Sequence, residues 1–306
     1  MSDCSPEVSV VIPVYNTGII LQETIDSVLS QSFTGFELII VDDGSTDQVT
    51  LDILEKQEDE RIRIIHQVNS GVAAARNRGI AEAKGEYIAF LDHDDLFLKD
   101  KLFEFKKSMA NEPSAGLVFS GIVPFGESKS QLVVLPVVDN PDFLTLLNQN
   151  LIYSTSCMMV RRAFLEKHRI LFDPECVPCD DWDFYLQCAL HGDIHYVQTP
   201  LTEYRFHDSN QSRDQIKMYL AGIRTAAKYR KSISDIHKIS GIPRLCLLRA
   251  ANNALSEHHY GIAFQYFGKR EFQKALQHGM KAFFYRPFSA KVPLFIWKKV
   301  GRKFFA

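Results

Sequence analysis

The first ninety residues of the chain alternate between strand and helix patterns. Short apolar runs rich in β-branched residues, each bounded by turn residues, predict strands at 8–13, 36–43, 62–66 and 86–92. Between them lie patterns typical of amphipathic helices, the first with Leu21, Ile25, Val28 and Leu29 on one face, and two more at 48–57 and 72–83. A series of this kind folds as a parallel sheet covered by helices on both faces, so the sequence predicts an α/β protein.

Polar clusters stand at the ends of three of these strands. The first strand runs into "PVYN" (13–16), the second into "DDGSTD" (42–47) and the fourth into "DHDD" (92–95). In open parallel sheets, ligands bind beyond the carboxyl ends of the strands. The three clusters are therefore predicted to converge on one edge of the sheet and to form a binding site there.

The cluster "DHDD" places three carboxylates, Asp92, Asp94 and Asp95, within four positions at the end of a strand whose composition indicates burial. Carboxylates this close raise one another's pKa unless a cation neutralises them, and a set of oxygen ligands suits Mg²⁺ or Mn²⁺. Such ions usually keep coordination positions for substrate phosphates, so the cluster predicts a phosphorylated substrate. The simpler alternative for Asp95 is that it caps the following helix.

A second acidic segment, "CDDWDFYLQCAL", carries Asp180, Asp181 and Asp183 in the first turn of a predicted helix. Acids are favoured there by the helix dipole, and one of them can also serve as a general base. In "YRFHDSNQS", Arg205 is a candidate phosphate contact and His207 is a candidate nitrogen ligand to the metal. Each of these residues also has an ordinary structural explanation.

Two common nucleotide-binding motifs are missing from the sequence. No Gly-x-Gly-x-x-Gly follows the first strand and no Walker-type Gly-Lys-Ser/Thr is present, which argues against dinucleotide dehydrogenases and P-loop enzymes. The six cysteines are scattered and do not predict a disulfide framework. Cys176 and Cys179 form a Cys-x-x-Cys pair, but a structural zinc site needs a second pair of ligands.

The net charge of −2 hides a strong asymmetry along the chain. Residues 1–209 contain 16 Lys and Arg against 33 Asp and Glu, whereas residues 210–306 contain 19 against 4. From residue 216 onward the patterns are mainly helical, and the final "PLFIWKKVGRKFFA" suits an interfacial membrane helix or, equally, a helix packed on the body of the protein. The basic region points to a phosphate-bearing surface, and we expect anionic lipid rather than nucleic acid because no nucleic-acid-binding module is recognised.

The sequence carries no pattern of a membrane span. No apolar run approaches the roughly 20 residues that cross a bilayer, and the opening residues lack a basic segment followed by an apolar one. We therefore expect a cytosolic protein that is held peripherally at the inner face of a membrane by its basic region. The charge asymmetry also predicts two domains, an acidic domain at 1–210 and a basic helical region at 211–306.

Five segments, taken in order, resemble the family-two nucleotide-sugar glycosyltransferases of the GT-A fold. They are "VSVVIPVYN", "LQETIDSVLSQSFTGFELIIVDDGSTD", "NSGVAAARNRGIAEAKGEYIAFLDHDD", "CDDWDF" and "YRFH", and they cover about the first 210 residues. The resemblance implies a catalytic domain at 1–210, with a GT-A-type, Rossmann-like sheet and helices on both of its faces, followed by a mainly helical C-terminal region. It also implies transfer of a sugar from a nucleoside diphosphate, with UDP expected, to a hydroxyl of a glycan or lipid-linked acceptor. The reaction would depend on Mn²⁺ or Mg²⁺ and invert the anomeric carbon.

The matched motifs imply a donor site and a metal site. The residues implied in binding the nucleotide are Pro13, Tyr15, Asp43, Arg76, Asp94 and Arg205. Tyr15 would stack on the base, and Asp43 would accept a ring N–H. The family's Asp-x-Asp signature fits "DHDD" in two registers, so that Asp94 contacts ribose and Asp95 the metal, or Asp92 takes one of these roles.

The same resemblance implies the remaining chemistry. His207 matches a third metal ligand found in some members of the family, and Asp181 matches the catalytic base of the family's Glu-Asp motif, with Asp180 in place of the usual Glu. A rival class of enzyme is the sugar nucleotidyltransferases, although the Gly-rich basic loop that their chemistry favours is missing from this chain. A non-catalytic scaffold that binds sugars or nucleotides is the alternative from another class.

Overall fold

The computed structural model describes residues 5–126, 133–135, 138–208 and 210–287. The predicted alternating series forms β1 (Val8–Val14), α1 (Ile20–Leu29), β2 (Phe36–Asp42), α2 (Gln48–Glu55), β3 (Ile62–His66), α3 (Val72–Glu82) and β4 (Tyr87–Phe90). The elements that follow are β5 (Leu96–Phe97), α4 (Lys101–Asn111), β6 (Ala115–Gly126), α5 (Phe143–Asn148), β7 (Met158–Arg161), α6 (Arg162–His168), α7 (Asp180–His191), β8 (Asp193–Phe206), α8 (Gln215–Lys231), α9 (Ile233–Ser240), α10 (Arg244–Gly268) and α11 (Phe272–Tyr285). The predicted α/β class is confirmed.

The described strands form one eight-stranded sheet in the order β3-β2-β1-β4-β7-β6-β8-β5. β1 pairs in parallel with β2 and with β4, and β2 pairs in parallel with β3. β7 runs antiparallel to both β4 and β6, whereas β6 and β8 are parallel to each other. The sheet is therefore parallel where strands and helices alternate along the chain, and mixed in the half built from later segments.

Burial on both faces explains the apolar composition of the central strands. All seven residues of β1 are buried, as expected for a parallel strand covered by helices on both sides. On the predicted apolar face of α1, Leu21, Ile25 and Val28 are each 0% exposed and belong to the main hydrophobic cluster, whereas Leu29 packs against that cluster and is partly buried. In α3, Gly79 lies so close to Val11 that a Cβ atom would clash with the valine side chain. The absence of a side chain at Gly79 lets the helix pack directly on the strand.

The chain forms two compact units, each built from several segments. The first consists of Met1–Asp142, Leu151–Pro174 and Gln187–Asp208, and it contains the sheet. The second consists of Phe143–Asn150, Glu175–Leu186 and Ser209–Ala306, which are separate in sequence. The functional domains suggested by the charge asymmetry, with their boundary near residue 210, stay a prediction.

The second unit is mainly helical, and α10 packs against both α8 and α11. Two glycines allow close aromatic contacts, since Gly222 faces the ring of His258 and Gly261 faces the ring of Tyr219. Burial lowers the pKa of His258 and of His259 to about 4, so both imidazoles are neutral at pH 7. Among the described residues, none of the helices combines the length and the apolarity needed to cross a bilayer.

Candidate functional site

The carboxyl ends of β2, β1 and β4 lie side by side, because the three strands are parallel neighbours. Asn16 has a φ of 48° and connects the loop after β1 to the loop after β2 through hydrogen bonds. Its Oδ1 accepts hydrogen bonds from the N–H groups of Thr46 and Asp47, at 2.7 and 3.0 Å. Tyr15 is 46% exposed and its ring is open to a ligand, whereas Pro13 is buried within β1. The strand order thus brings the predicted polar clusters to one edge of the sheet.

Asp43 is buried at this edge and holds the turn that begins α3. Its Oδ1 accepts hydrogen bonds from the Gln67 side-chain amide at 2.7 Å and from the Ser70 N–H at 2.8 Å. Its Oδ2 accepts one from the Gly71 N–H at 2.8 Å. A carboxylate offers about four acceptor positions, so the described contacts leave one position on Oδ2 for a further donor. Asp43 can therefore accept one N–H of a ligand without losing its structural bonds.

Asp92 is engaged by several donors of the protein itself. Arg76 Nη2 lies 2.6 Å from Asp92 Oδ1, and Thr155 Oγ1 donates to the same oxygen at 2.9 Å. Ser154 Oγ donates to Oδ2 at 3.1 Å. Although burial opposes the charged form, the charge of Arg76 and the hydrogen bonds from Arg76 and Thr155 lower the pKa of Asp92. Arg76 is itself 7% exposed, with its guanidinium carbon 5.3 Å from the centre of the Phe172 ring, whereas the Asp92 side chain is 24% exposed, so the two residues form a partly buried ion pair.

Asp94 and Asp95 differ in what their carboxylates can reach. Asp94 Oδ2 lies 2.8 Å from His207 Nε2, and the two side chains are 16% and 22% exposed. Asp95 is 1% exposed and accepts hydrogen bonds from the Arg205 N–H on Oδ1 at 3.0 Å and from Ser156 Oγ on Oδ2 at 2.6 Å. Burial and the neighbouring carboxylates raise the pKa of Asp95 well above its usual value. Of the two residues, Asp94 has the carboxylate that is more open to a bound ion.

Arg205 stabilises the loop that carries Asp94. Its Nε donates to the Asp94 carbonyl at 2.8 Å, and its guanidinium carbon lies 4.4 Å from the centre of the Phe125 ring. Its Nη2 pairs with Glu23, whose side chain is 60% exposed. Ion pairs with exposed partners are worth at most about 1 kcal/mol, so the guanidinium can exchange Glu23 for a phosphate at small cost. The phosphate contact itself stays a prediction.

Three acids occupy the first turn of α7, and their surroundings differ. Asp183 is 0% exposed and pairs with Lys228, whose Nζ lies 2.8 Å from Asp183 Oδ1. Asp180 is 3% exposed. Asp181 is partly exposed, and its Oδ1 accepts the Trp182 N–H at 2.6 Å. Asp183 therefore has a structural role in the second unit, whereas the carboxylate of Asp181 is the more accessible to a solute.

Several polar residues around the carboxylates were not predicted from the sequence. Hydroxyls of the turn 154–156 donate to Asp92 and Asp95 from 61 to 63 positions further along the chain. In α1, Thr24 Oγ1 donates to the carbonyls of His93 and Asp95, each at 3.0 Å. Isolated serines and threonines are common in loops and in helices, so no motif marks these residues. Only the fold identifies their partners.

Comparison with known proteins identifies the family. Residues 9–169 match the model of glycosyl transferase family 2. An uncharacterized glycosyltransferase of Rickettsia felis is 30% identical over 217 residues, which cover 68% of this chain and 35% of the relative. An uncharacterized glycosyltransferase of Haemophilus influenzae is 35% identical over 189 residues, which cover 60% of this chain and 72% of the relative. The chain belongs to glycosyl transferase family 2, and it spans about a third of the length of the Rickettsia relative.

Solved structures share the fold. The structure of S. aureus TarS 1-349 matches with a TM-score of 0.68 at 18% sequence identity, over 92% of this chain and 81% of that chain. The same TarS fragment in complex with UDP-GlcNAc matches with a TM-score of 0.63 at 18% identity, over 92% of each chain. The GT-A-type fold implied by the sequence resemblance is confirmed.

Proposed function

We propose that this protein transfers a sugar from a UDP-linked donor to an acceptor hydroxyl during the synthesis of a cell-surface glycan. The proposal rests on the arrangement at one edge of the sheet. There, Asp43 has one hydrogen-bond acceptor position left for a ligand, and the Asp94 carboxylate lies 2.8 Å from the His207 imidazole. The first feature suits the ring N–H of a nucleobase, and the second suits a divalent ion that bridges to phosphates. Membership of family 2 and the UDP-GlcNAc complex of TarS support the same class of donor.

The residues at this edge fit a divalent ion. Asp94 offers a carboxylate oxygen and His207 an imidazole nitrogen, and the nitrogen ligand favours Mn²⁺ over Mg²⁺ because Mg²⁺ takes oxygen ligands. The carboxylates of Asp92 and Asp95 already accept hydrogen bonds from the protein, so they are less available as ligands than the carboxylate of Asp94. We therefore propose Asp94 and His207 as the ligands, in preference to Asp95. When bound, the ion would offset the negative charge that develops on the diphosphate leaving group.

The other residues of the edge would hold the nucleotide. The exposed ring of Tyr15 can stack on the base, an interaction worth about 1–3 kcal/mol in other nucleotide complexes. Asp43 would accept the ring N–H, and Arg205 would exchange Glu23 for a phosphate. Arg76 would act indirectly, because its guanidinium pairs with a carboxylate of the acidic cluster.

Asp181 is proposed as the general base. It matches the base position of the family motif, and it is partly exposed in the first turn of α7. Its carboxylate would take the proton of the acceptor hydroxyl as that oxygen attacks the anomeric carbon from the face opposite the diphosphate. The bond from this carbon to the diphosphate oxygen breaks as the new bond forms, so the anomeric configuration inverts.

Calorimetric titration of UDP tests the donor site. We expect wild-type protein to bind UDP in the presence of Mn²⁺ and to lose that binding when EDTA removes the ion, because the carboxylates and the diphosphate repel each other without it. ADP in the same buffer is the control for recognition of the base. Binding indifferent to metal, or no binding with any nucleoside diphosphate, would instead favour a non-catalytic scaffold.

The exposed face of α11 supports a membrane-bound acceptor. Met280, Phe283 and Phe284 are 56%, 43% and 77% exposed, and the exposed Lys281 lies among them. Apolar side chains beside a cation are typical of helices that lie at a membrane interface. Because residues 210–306 carry 19 Lys and Arg against 4 Asp and Glu, we propose that this region holds the enzyme at an anionic membrane where a lipid-linked or growing glycan acceptor resides.

Sedimentation with vesicles that contain phosphatidylserine should show binding at low salt and release at high salt. Lys281→Glu is expected to weaken the binding at least about fivefold, since each cation near such a surface contributes about 1 kcal/mol. Lys56→Glu is the matched control, because Lys56 is also exposed but lies in the first unit. Binding that does not change with salt, or equal losses in the two variants, would count against the proposal.

A further inference from the structure

Ser154, Thr155 and Ser156 form a buried turn, the 154–156 turn, whose hydroxyls face the acidic cluster. The three residues are 5%, 1% and 0% exposed. Ser156 Oγ donates to Asp95 Oδ2 at 2.6 Å and accepts the N–H of Asp92 at 3.0 Å. One hydroxyl therefore contacts both the first and the last residue of the segment 92–95, the acidic loop.

Lys101 contacts the 154–156 turn from the interior of the first unit and is 0% exposed. Its Nζ donates to the Ser156 carbonyl at 2.7 Å and to Thr202 Oγ1 at 2.6 Å. Thr202 Oγ1 in turn donates to the same carbonyl at 3.1 Å. The ammonium also lies 4.5 Å from the centres of the Phe97 and Phe105 rings. Two buried donors thus converge on a single carbonyl oxygen.

A lysine in these surroundings opposes folding. Burial lowers the pKa of Lys101 to about 7, even though the neighbouring Cys157 and Asp95 act in the opposite direction. Packing alone does not explain the residue, because apolar side chains of similar volume often replace buried charged groups with no loss of stability. The contacts of Lys101 suggest a functional reason, since they lead through Ser156 to the acidic loop.

The acidic loop is held on both sides of Asp94. Thr24 Oγ1 donates to the carbonyls of His93 and Asp95, which flank it. The side chains of Asp92 and Asp95 accept hydrogen bonds from the 154–156 turn. These bonds restrict the backbone around Asp94, while its own carboxylate stays 16% exposed. The loop is therefore preorganised to hold the Asp94 carboxylate beside the imidazole of His207.

We propose that Lys101 and Ser156 are positioning residues of the donor site. Lys101 holds the Ser156 carbonyl in place. The Ser156 hydroxyl in turn holds the Asp95 carboxylate and the Asp92 N–H. The loop between these two residues then presents the Asp94 carboxylate to a metal-bound diphosphate. Neither residue touches the substrate. The inference rests on the proposed function, because a metal-dependent nucleotide is the ligand that the presented carboxylate serves.

The test measures metal dependence separately from folding. On the full chain, calorimetry gives the Mn²⁺ concentration needed for half-maximal UDP binding in wild type, Ser156→Ala, Lys101→Met and the double variant. Urea unfolding of the same samples gives their stability. Ser256→Ala is the matched control, because Ser256 is 2% exposed and donates to the Ala282 carbonyl at 2.9 Å within the second unit.

Each single variant is expected to raise the required Mn²⁺ concentration about 10–100-fold, as is typical when a group that orients a metal ligand is lost. The double variant should raise the required Mn²⁺ concentration no more than the more severe single variant does, because both residues act through one series of contacts. Ser256→Ala should alter stability without altering the Mn²⁺ requirement.

The inference is overturned if Ser156→Ala lowers stability but keeps a Mn²⁺ requirement within about twofold of wild type, since loss of an orienting group costs more than that. This comparison decides the matter even where Lys101→Met does not fold. Wild-type protein that binds no UDP with Mn²⁺ would reject the proposed function, and the inference with it. Wild-type binding with unaffected variants would reject the inference alone.

Discussion

Asp181→Asn is expected to lower the rate of sugar transfer about 10²–10⁴-fold, which is the usual contribution of a general base. Asparagine keeps the size and the hydrogen-bonding capacity of the side chain, but it cannot accept the proton of the acceptor hydroxyl at neutral pH. The affinity for UDP should not change, because the proposed nucleotide contacts are made by residues of the first unit. The variant would therefore lose turnover and keep donor binding, the pattern of a group that acts only in the transition state.

Asp183→Asn provides the control for Asp181→Asn within the same helical turn. Asp183 is 0% exposed and pairs with Lys228, so its replacement should lower the urea midpoint, and any loss of rate should follow the loss of folded protein. Single-turnover transfer from a labelled UDP-sugar, normalised to the folded fraction, separates the two effects. Near wild-type transfer by the Asp181→Asn variant would reject Asp181 as the base.

Asp94→Ala is expected to weaken Mn²⁺-dependent binding of UDP by at least about 10²-fold, because loss of a ligand should exceed the 10–100-fold cost of losing a group that merely orients one. His207→Ala should have the next largest effect, since its Nε2 lies 2.8 Å from Asp94 Oδ2. Without either side chain the site would offer one ligand fewer to the ion, so the metal-dependent binding of the diphosphate should weaken. Titration of UDP at several Mn²⁺ concentrations measures both effects.

Two further variants make the Asp94 experiment decisive. Asp26→Ala is the matched control, because Asp26 is an exposed aspartate on α1 whose carboxylate accepts a hydrogen bond from the Gln22 amide. Asp95→Ala tests the other assignment of the signature, in which Asp95 binds the metal and Asp94 contacts ribose. If Asp95→Ala abolishes the metal dependence and Asp94→Ala does not, the original sequence-based assignment is correct.

Local patterns were sufficient to predict the parallel half of the sheet. Each strand from β1 to β4 is marked by its own apolar run, and the buried face of α1 is marked by the spacing of Leu21, Ile25 and Val28. These signals lie within a few residues of one another, because strand and helix periodicity is a local property of the chain. The order β2-β1-β4 then places the polar ends of the strands together. In the mixed half, the pairing of the strands has no such local signal, since β7 pairs antiparallel to β4 across about seventy residues.

The differences among the three carboxylates arise only in the tertiary structure. Asp92, Asp94 and Asp95 have the same side chain and nearly the same sequence position, yet Asp92 pairs with Arg76 and Asp95 is 1% exposed. Asp94 meets His207, which lies 113 positions further along the chain. Hydrogen bonding and desolvation depend on atoms about 3 Å away, whatever their separation in sequence. The sequence by itself therefore determined the α/β class, the resemblance to its family and the edge that carries the acids. The folded chain decided which acid is buried, which pairs with Arg76 and which meets His207.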